Sequence, residues 1–366
     1  MSAVHVLAAV LRGERPAAGV VVSDHLVDVA EAHGVEALLA RAPAAVSAAP
    51  AVAFRLKAML AGYEALSAVR DRELSRVLEH LAIGGVSPIV IKGAHLGHTI
   101  YLSPALRPRE DTDLVIADEE QARTASLLEG TGYRRTVHVR GALILGQCHF
   151  QRADNNLGLV HALDVHWRLA APLVFRRVLP AAALRLSRIP IPGLGAHAWG
   201  PSPPHALLIA CVHLVAHHRA DPILLWLHDI ARLADSLDDA DAAAFLEVAG
   251  AARISAVCAS ALDHARRFFD GPALTSLAMR ARALGSAREE PSARLLTAAR
   301  PIDELWLDLR ISEGWRERVT LLREHLWPDP EYMRATSVRT GWLPFAYVRR
   351  ALFGFRRWTS STAVDR

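Results

Sequence analysis

Apolar and polar positions recur with two different periods along this chain, and the change of period divides it. From His5 to about Leu81 the spacing is helical, with Leu26, Val29, Ala30, Val35, Leu38 and Leu39 at helical steps. The stretch Pro43 to Pro50 breaks the pattern, and a second long helix is expected from Ala51 to Leu81. On its outer face Arg70, Asp71, Arg72 and Glu73 read as a solvated charged stripe. Gly84-Gly85 ends it.

The period then shortens. Ile89-Val90-Ile91 reads as a buried strand, Lys92-Gly93 as a turn, and Ala94 to Leu102 as a helix-length segment. A second strand opens with Asp111-Thr112-Asp113 and runs into Leu114-Val115-Ile116. Residues i and i+2 of a strand share a face about 7 Å apart, so Asp111 and Asp113 are expected side by side. Two such carboxylates can share a hard cation such as Mg²⁺, which prefers oxygen ligands and commonly keeps a substrate phosphate among them. The preceding Lys-Gly turn suits a backbone passing close to phosphates at a helix start.

A helix from Asp118 to Leu128 follows, then strands over Tyr133 to Val139 and Ala142 to Arg152, with a hairpin signal at Asp154-Asn155-Asn156. In Leu159 to Leu169, Leu163, Val165 and Trp167 share one strand face, and Asp164, His166 and Arg168 the other. His161 falls on the apolar face and breaks the alternation. Ala170 to Pro204 is rich in Pro and Gly and reads as an irregular boundary. Helices follow at Ala206 to His218, Ile223 to Leu237 and Ala240 to Ala251, and further ones continue to about Arg357.

At 366 residues the chain can hold two domains or one large one. With 52% apolar and 22% charged residues it should fold. The net charge of +4 suits a phosphate-bearing ligand. Long nucleic acid is disfavoured as a partner, because the basic residues do not cluster with aromatics except at Arg349-Arg350 and Arg356-Arg357-Trp358, read as capping a terminal helix. Cys148, Cys211 and Cys258 are odd in number and widely spaced, against a disulfide framework or a zinc ribbon. The apolar start, Met1 to Val10, lacks a basic flank, and no apolar run reaches the roughly 18 residues of a membrane span, so the expected compartment is the cytoplasm.

Several of these pieces occur together in one known pattern. Lys92-Gly93, Tyr101, Arg107-Pro108 and Asp111-x-Asp113 with its apolar tail, then Leu163-Asp164-Val165-His166-Trp167 and Leu224 to Ile230, resemble the bacterial "uncharacterised nucleotidyltransferase" family, a branch of the polymerase-β-like superfamily. The resemblance covers roughly residues 25 to 260, and more loosely Trp327-Pro328 and Tyr347. The superfamily more often has Gly-Ser where this chain has Lys92-Gly93, which fits the branch better.

The resemblance implies an α+β fold, with a small mixed β-sheet nucleotidyltransferase core (84–180) between an N-terminal helical segment (1–83) and a helical C-terminal domain (200–366). It implies transfer of an NMP from an NTP, ATP the first guess, to an acceptor hydroxyl, releasing pyrophosphate, with two Mg²⁺ (or Mn²⁺) held by Asp111, Asp113 and Asp164. Asp164 would also help deprotonate the acceptor. Lys92 and the Gly93 amide would face the β- and γ-phosphates, Arg107 would grip a phosphate with its planar fork, and Arg109 is a second candidate. His166 would contact the nucleotide or orient Asp164.

Each assignment has an alternative: turn or strand-edge aspartates, a strand-end lysine, an Arg107 salt bridge, a buried structural histidine. For His149 the two readings do not separate. The acceptor, a peptide natural product, a protein or a sugar by resemblance, is not readable from the residues.

Two rivals remain. One keeps the fold as a catalytically degenerate nucleotide-binding or partner-binding module. The other is a metal-dependent phosphohydrolase built on His213, His217, His218, His228 and Asp229. The zincin Glu is missing after His213, and such residues more often pack between helices.

Overall fold

A computed structural model describes residues 2–14, 22–136, 143–218, 223–287, 289–298, 300–330, 333–334, 343–345, 347 and 349. The expected strand residues 137–142, and Arg350 and Arg356 to Trp358, lie outside the described residues. The chain is α+β, as the patterning indicates. Helices α1 (Ala3–Leu11), α2 (Asp24–Ala32), α3 (Glu36–Arg41) and α4 (Pro50–Ile83) precede the first strand. Pro50 starts α4 in the first turn, where its missing N–H costs nothing. Gly85 ends it at φ +77°, with the amides of Gly85 and Val86 closing on the carbonyls of Ala82 and Leu81.

The sheet has seven strands: β1 (Ile89–Ile91), β2 (Thr112–Val115), β3 (Arg134–Arg135), β4 (Gln147–Asp154), β5 (Leu159–His166), β6 (Ile189–Pro190) and β7 (Trp199–Gly200). Their order is β3-β4-β5-β2-β1-β7-β6, with β2–β5 and β1–β7 parallel and the other pairs antiparallel. Helix α5 (Lys92–Thr99) links β1 to β2, and α6 (Gln121–Gly130) follows β2. The segment 170–204, expected to be irregular, carries α7 (Ala181–Leu186) and both strands beyond β1, so the sheet extends past residue 180.

The two sheet faces bury different things. Val90, Leu114, Ile116, Leu163 and Val165 pack with Leu74, Val77, Leu78 and Leu81 of α4 and Leu128 of α6. From the opposite face, Ile89, Ile91 and Val115 join a larger core. That core combines the N-terminal helices with α8 (Pro203–His218), α9 (Leu224–Ser236), α10 (Asp239–Ala251), α11 (Ser255–Arg266) and α12 (Pro272–Ala287). Helices α13 (Pro301–Ile311) and α14 (Trp315–Leu326) follow. Among the described residues no helix is long and apolar enough to cross a membrane, and all three cysteines are free.

The charged stripe of α4 is not solvated as expected. Asp71 accepts from Arg109 Nη2 at 2.7 Å and meets His98 Nε2 at 3.1 Å. Glu73 is buried: Tyr133 Oη donates to it at 2.8 Å, Arg152 Nη2 at 2.8 Å and Arg76 Nη2 at 2.7 Å. These charges face inward because α4 lies across one sheet face rather than at the surface. Arg72 alone of the four is exposed.

Removing the acceptor that Tyr133 and Arg152 share leaves a buried hydroxyl and a half-buried guanidinium without it. Glu73→Ala is therefore expected to cost about 2–4 kcal/mol of unfolding free energy. Urea titration checks this against Glu79→Ala, exposed on the same helix and expected to stay within about 0.5 kcal/mol.

Candidate active site

Register assembles the site. Ile91 pairs with Asp113, Asp113 with Asp164, and Asp164 with His149, so one row crosses β1, β2, β5 and β4. Paired residues on neighbouring strands, about 4.8 Å apart, present their side chains to the same face. Two places along β5, His166 shares that face, paired with Val115 and Gln147. One atom from each of Asp113, Asp164 and His166 lies within 4.8 Å of the others, all three residues being buried. No other such trio of His, Cys, Asp or Glu occurs among the described residues.

Each buried carboxylate has a partner. Lys92 Nζ lies 2.6 Å from Asp113 Oδ1, and His166 Nε2 lies 2.9 Å from the same oxygen. Burial alone would raise the Asp113 pKa, but the adjacent ammonium and the imidazole outweigh it and hold the group far below the usual carboxylate range. His149 Nδ1 bonds Asp164, and that hydrogen bond raises the imidazole pKa against the effect of burial. Lys92 has a φ of +52°, a left-handed backbone unusual for a lysine. Such local strain is found where surrounding contacts over-determine it.

Asp111 sits just ahead of β2 rather than within it, and keeps one side open to solvent. Desolvation by its crowded surroundings, then repulsion from Asp113 and Asp164, push its carboxyl up to about 6. A carboxylate pushed up beside two others suits a divalent cation, whose charge would relieve that repulsion. Oxygens from Asp111, Asp113 and Asp164 suit Mg²⁺, whereas the His166 nitrogen extends the fit to Mn²⁺.

The site opens into a cleft of about 740 Å³ between the sheet and both helical segments. Asp111, Asp113, Lys92 and Gly93 line one wall, with Glu36 and Tyr63 from the N-terminal helices and Trp226 from α9 opposite. A Cβ at Gly93 would be tight, 3.3 Å from Arg109 Cβ and 3.4 Å from Arg107 Nη1, so that the two arginines would have to give slightly.

The two motif arginines are placed beside the cleft but are ion-paired. Arg107 is buried and forks onto Asp229 of α9, with Nε 2.9 Å from Oδ2 and Nη2 2.8 Å from the same oxygen. Tyr101 Oη donates to Asp229 Oδ1 at 2.7 Å. Since its one proton goes there, the hydroxyl accepts from His228 Nδ1 at 2.9 Å. The salt-bridge alternative for Arg107 is thus the observed geometry, and Arg109 is likewise held by Asp71.

Among the described residues the histidine-based rival does not assemble. His228 and Asp229 are committed to Tyr101 and Arg107, and His213 packs edge-on to Trp226 at 5.7 Å. The side chains of His217 and His218 lie outside the described residues. Sequence reasoning missed Arg70, Asp71, Glu36 and Tyr63 as parts of this neighbourhood. None carries a local signal, because each is an ordinary charged or aromatic residue on a helix whose docking brings it here.

Two predictions follow from the buried polar groups. Asp229→Asn leaves the Arg107 guanidinium buried without its counter-charge, an expected loss of about 3–5 kcal/mol in denaturant unfolding. His95 and His228 are buried neutral, with burial lowering each to about 3. Between roughly pH 6.5 and 3 the unfolded chain binds those protons and the folded one does not. Stability therefore falls with acidification through that window, by up to about 1.4 kcal/mol per pH unit per group. Comparing urea unfolding at pH 7.5 and 5 in wild type and His228→Asn should show a shallower dependence in the variant.

A search of curated proteins and a search of solved structures each find no match. The profile of the uncharacterised nucleotidyltransferase family, in contrast, matches residues 21–270. That span takes in α2 to α11, the whole sheet, the carboxylate row and the Arg107–Asp229 pair. The chain belongs to the uncharacterised nucleotidyltransferase family.

Proposed function

We propose that this protein transfers a nucleoside monophosphate from an NTP, ATP first among them, to an acceptor hydroxyl in the cleft, with release of pyrophosphate. The observation that carries this reading is the placing of Asp113 and Asp164 side by side on parallel strands, with Asp111 adjacent and facing the cleft.

A divalent cation held by Asp111, Asp113 and Asp164, Mg²⁺ or Mn²⁺, would supply positive charge for the phosphates and lower the pKa of the attacking hydroxyl. The chain's own groups do the rest. Asp164, held by His149, takes the proton of the acceptor hydroxyl as its oxygen bonds to the α-phosphorus. The bond from that phosphorus to the bridging oxygen breaks, and pyrophosphate leaves. Lys92 and the Gly93 amide face the β- and γ-phosphates, and His166 orients Asp113 through its 2.9 Å contact. Arg107 and Arg109 serve here by fixing the cleft walls.

The cleft volume of about 740 Å³ suits a nucleotide with a small acceptor or a protruding chain end. A peptide, protein or sugar hydroxyl fits that space; long nucleic acid, with a net charge of only +4 to attract it, is not expected. The free cysteines suit a reducing cytoplasm.

One observation favours a second reading, a nucleotide-binding module without chemistry. The Lys92 ammonium sits on the central carboxylate, Asp113, as a cation would.

Thermal unfolding with each NTP, with and without Mg²⁺ or Mn²⁺, separates the two. At ligand one hundred times its Kd, binding to the folded state adds about 2.7 kcal/mol. Metal-dependent stabilisation that disappears in Asp111→Asn/Asp113→Asn supports the enzyme. Metal-independent stabilisation that survives the double variant supports the module, and no stabilisation by any NTP would sink both.

A further inference from the structure

We propose that Arg70, from α4, is a further cation, beside Lys92, that grips the polyphosphate tail of the nucleotide in this cleft. The inference rests on the nucleotidyl-transfer reading above and adds a residue that no motif marks.

The other cations of the cleft are committed to carboxylates. Lys92 is bonded to Asp113 at 2.6 Å, Arg107 to Asp229 at 2.8 Å and Arg109 to Asp71 at 2.7 Å. Arg107 and Arg109 would have to leave a buried or half-buried carboxylate uncompensated to reach a phosphate, and Lys92 is freed only where a metal takes its place on Asp113. Arg70 lines the same cleft as Lys92, Gly93 and Asp111. Among the described residues it makes no hydrogen bond and no ion pair.

Its environment asks for an anion. Arg70 is half-buried, and desolvation together with the neighbouring Arg109 disfavours its charge, while Glu110 and Asp111 attract it without bonding it. A planar guanidinium partly stripped of water beside a second one is a geometry that a bidentate phosphate satisfies well.

The residue is also well positioned. Asp71 and Glu73, its neighbours on α4, are pinned by Arg109 and His98 and by Tyr133 and Arg152. Arg70 therefore stands on a stretch of helix whose backbone is held by the partners of its neighbours, and little of that backbone remains to be ordered on binding. Arg70 and Asp111 line the same cleft and attract each other through space, which puts the fork on the carboxylate side of the site.

The test is calorimetric titration of the full chain with inorganic tripolyphosphate and with each of the four NTPs, in Mg²⁺. Arg70→Gln is expected to weaken both roughly ten- to hundredfold, the usual loss for one charge-assisted hydrogen-bonding group. Arg72→Gln, exposed on the same helix, should leave them unchanged. Arg70→Lys keeps the charge but not the fork, and should lose severalfold; it carries the test if the glutamine variant does not fold. Unchanged affinity in Arg70→Gln, or in Arg70→Lys where that variant stands in for it, overturns the proposal. If Asp113→Asn abolishes binding while the Arg70 variants do not alter it, the Arg70 assignment fails and the nucleotidyl-transfer reading stands. If wild type binds neither tripolyphosphate nor any NTP, both fail together.

Discussion

The Arg107–Asp229 pair holds the two halves of the molecule in a fixed relation. A guanidinium and a carboxylate taken out of water are tolerated only when nearly every donor and acceptor is met. Here Arg107 is met by both Asp229 oxygens and the Pro108 carbonyl, and Asp229 by Arg107 and Tyr101. Because Arg107 leads into β2 and Asp229 belongs to α9, satisfying the pair fixes the helical half against the strand that carries Asp113. The cleft takes its width from that docking. Two pieces of sequence more than a hundred residues apart, Tyr101 to Arg107 and His228-Asp229, are thus one structural unit.

A second constraint comes from the sheet. Parallel pairing of β2 with β5 forces Asp113 and Asp164 next to each other, and the loop before β2 adds Asp111. So much negative charge in a buried place is compensated residue by residue. Lys92 and His166 share one oxygen of Asp113, and His149 bonds Asp164. Asp111 has no such partner, and its carboxyl shows the repulsion. The uneven compensation marks where positive charge is best received.

Much of this was readable from the residues. β1 and β2 announce themselves by Val/Ile/Leu runs against Gly and Asp, and β5 by clean alternation from Ala162 onward. The short strands β6 and β7 do not, because Ile189-Pro190 and Trp199-Gly200 are too short to show a period. The α4 stripe misleads for a different reason. Arg70, Asp71 and Glu73 look the same whether a helix faces water or lies across a sheet, and only docking decides. The same holds for Arg107 and Arg109. A guanidinium fork suits a phosphate and a carboxylate equally, and Asp229 and Asp71 are too far along the chain for spacing to reveal them.

The Lys92–Asp113 contact makes this site self-neutralising. The charge of the central carboxylate is met from within the chain, unlike in small domains where a metal meets it. On the nucleotidyl-transfer reading, a divalent cation at Asp113 would enter as an exchange, competing with an ammonium tethered there at high effective concentration. The displaced ammonium would then be free toward the cleft that Lys92 lines, so that filling the metal position and freeing the lysine would be a single event.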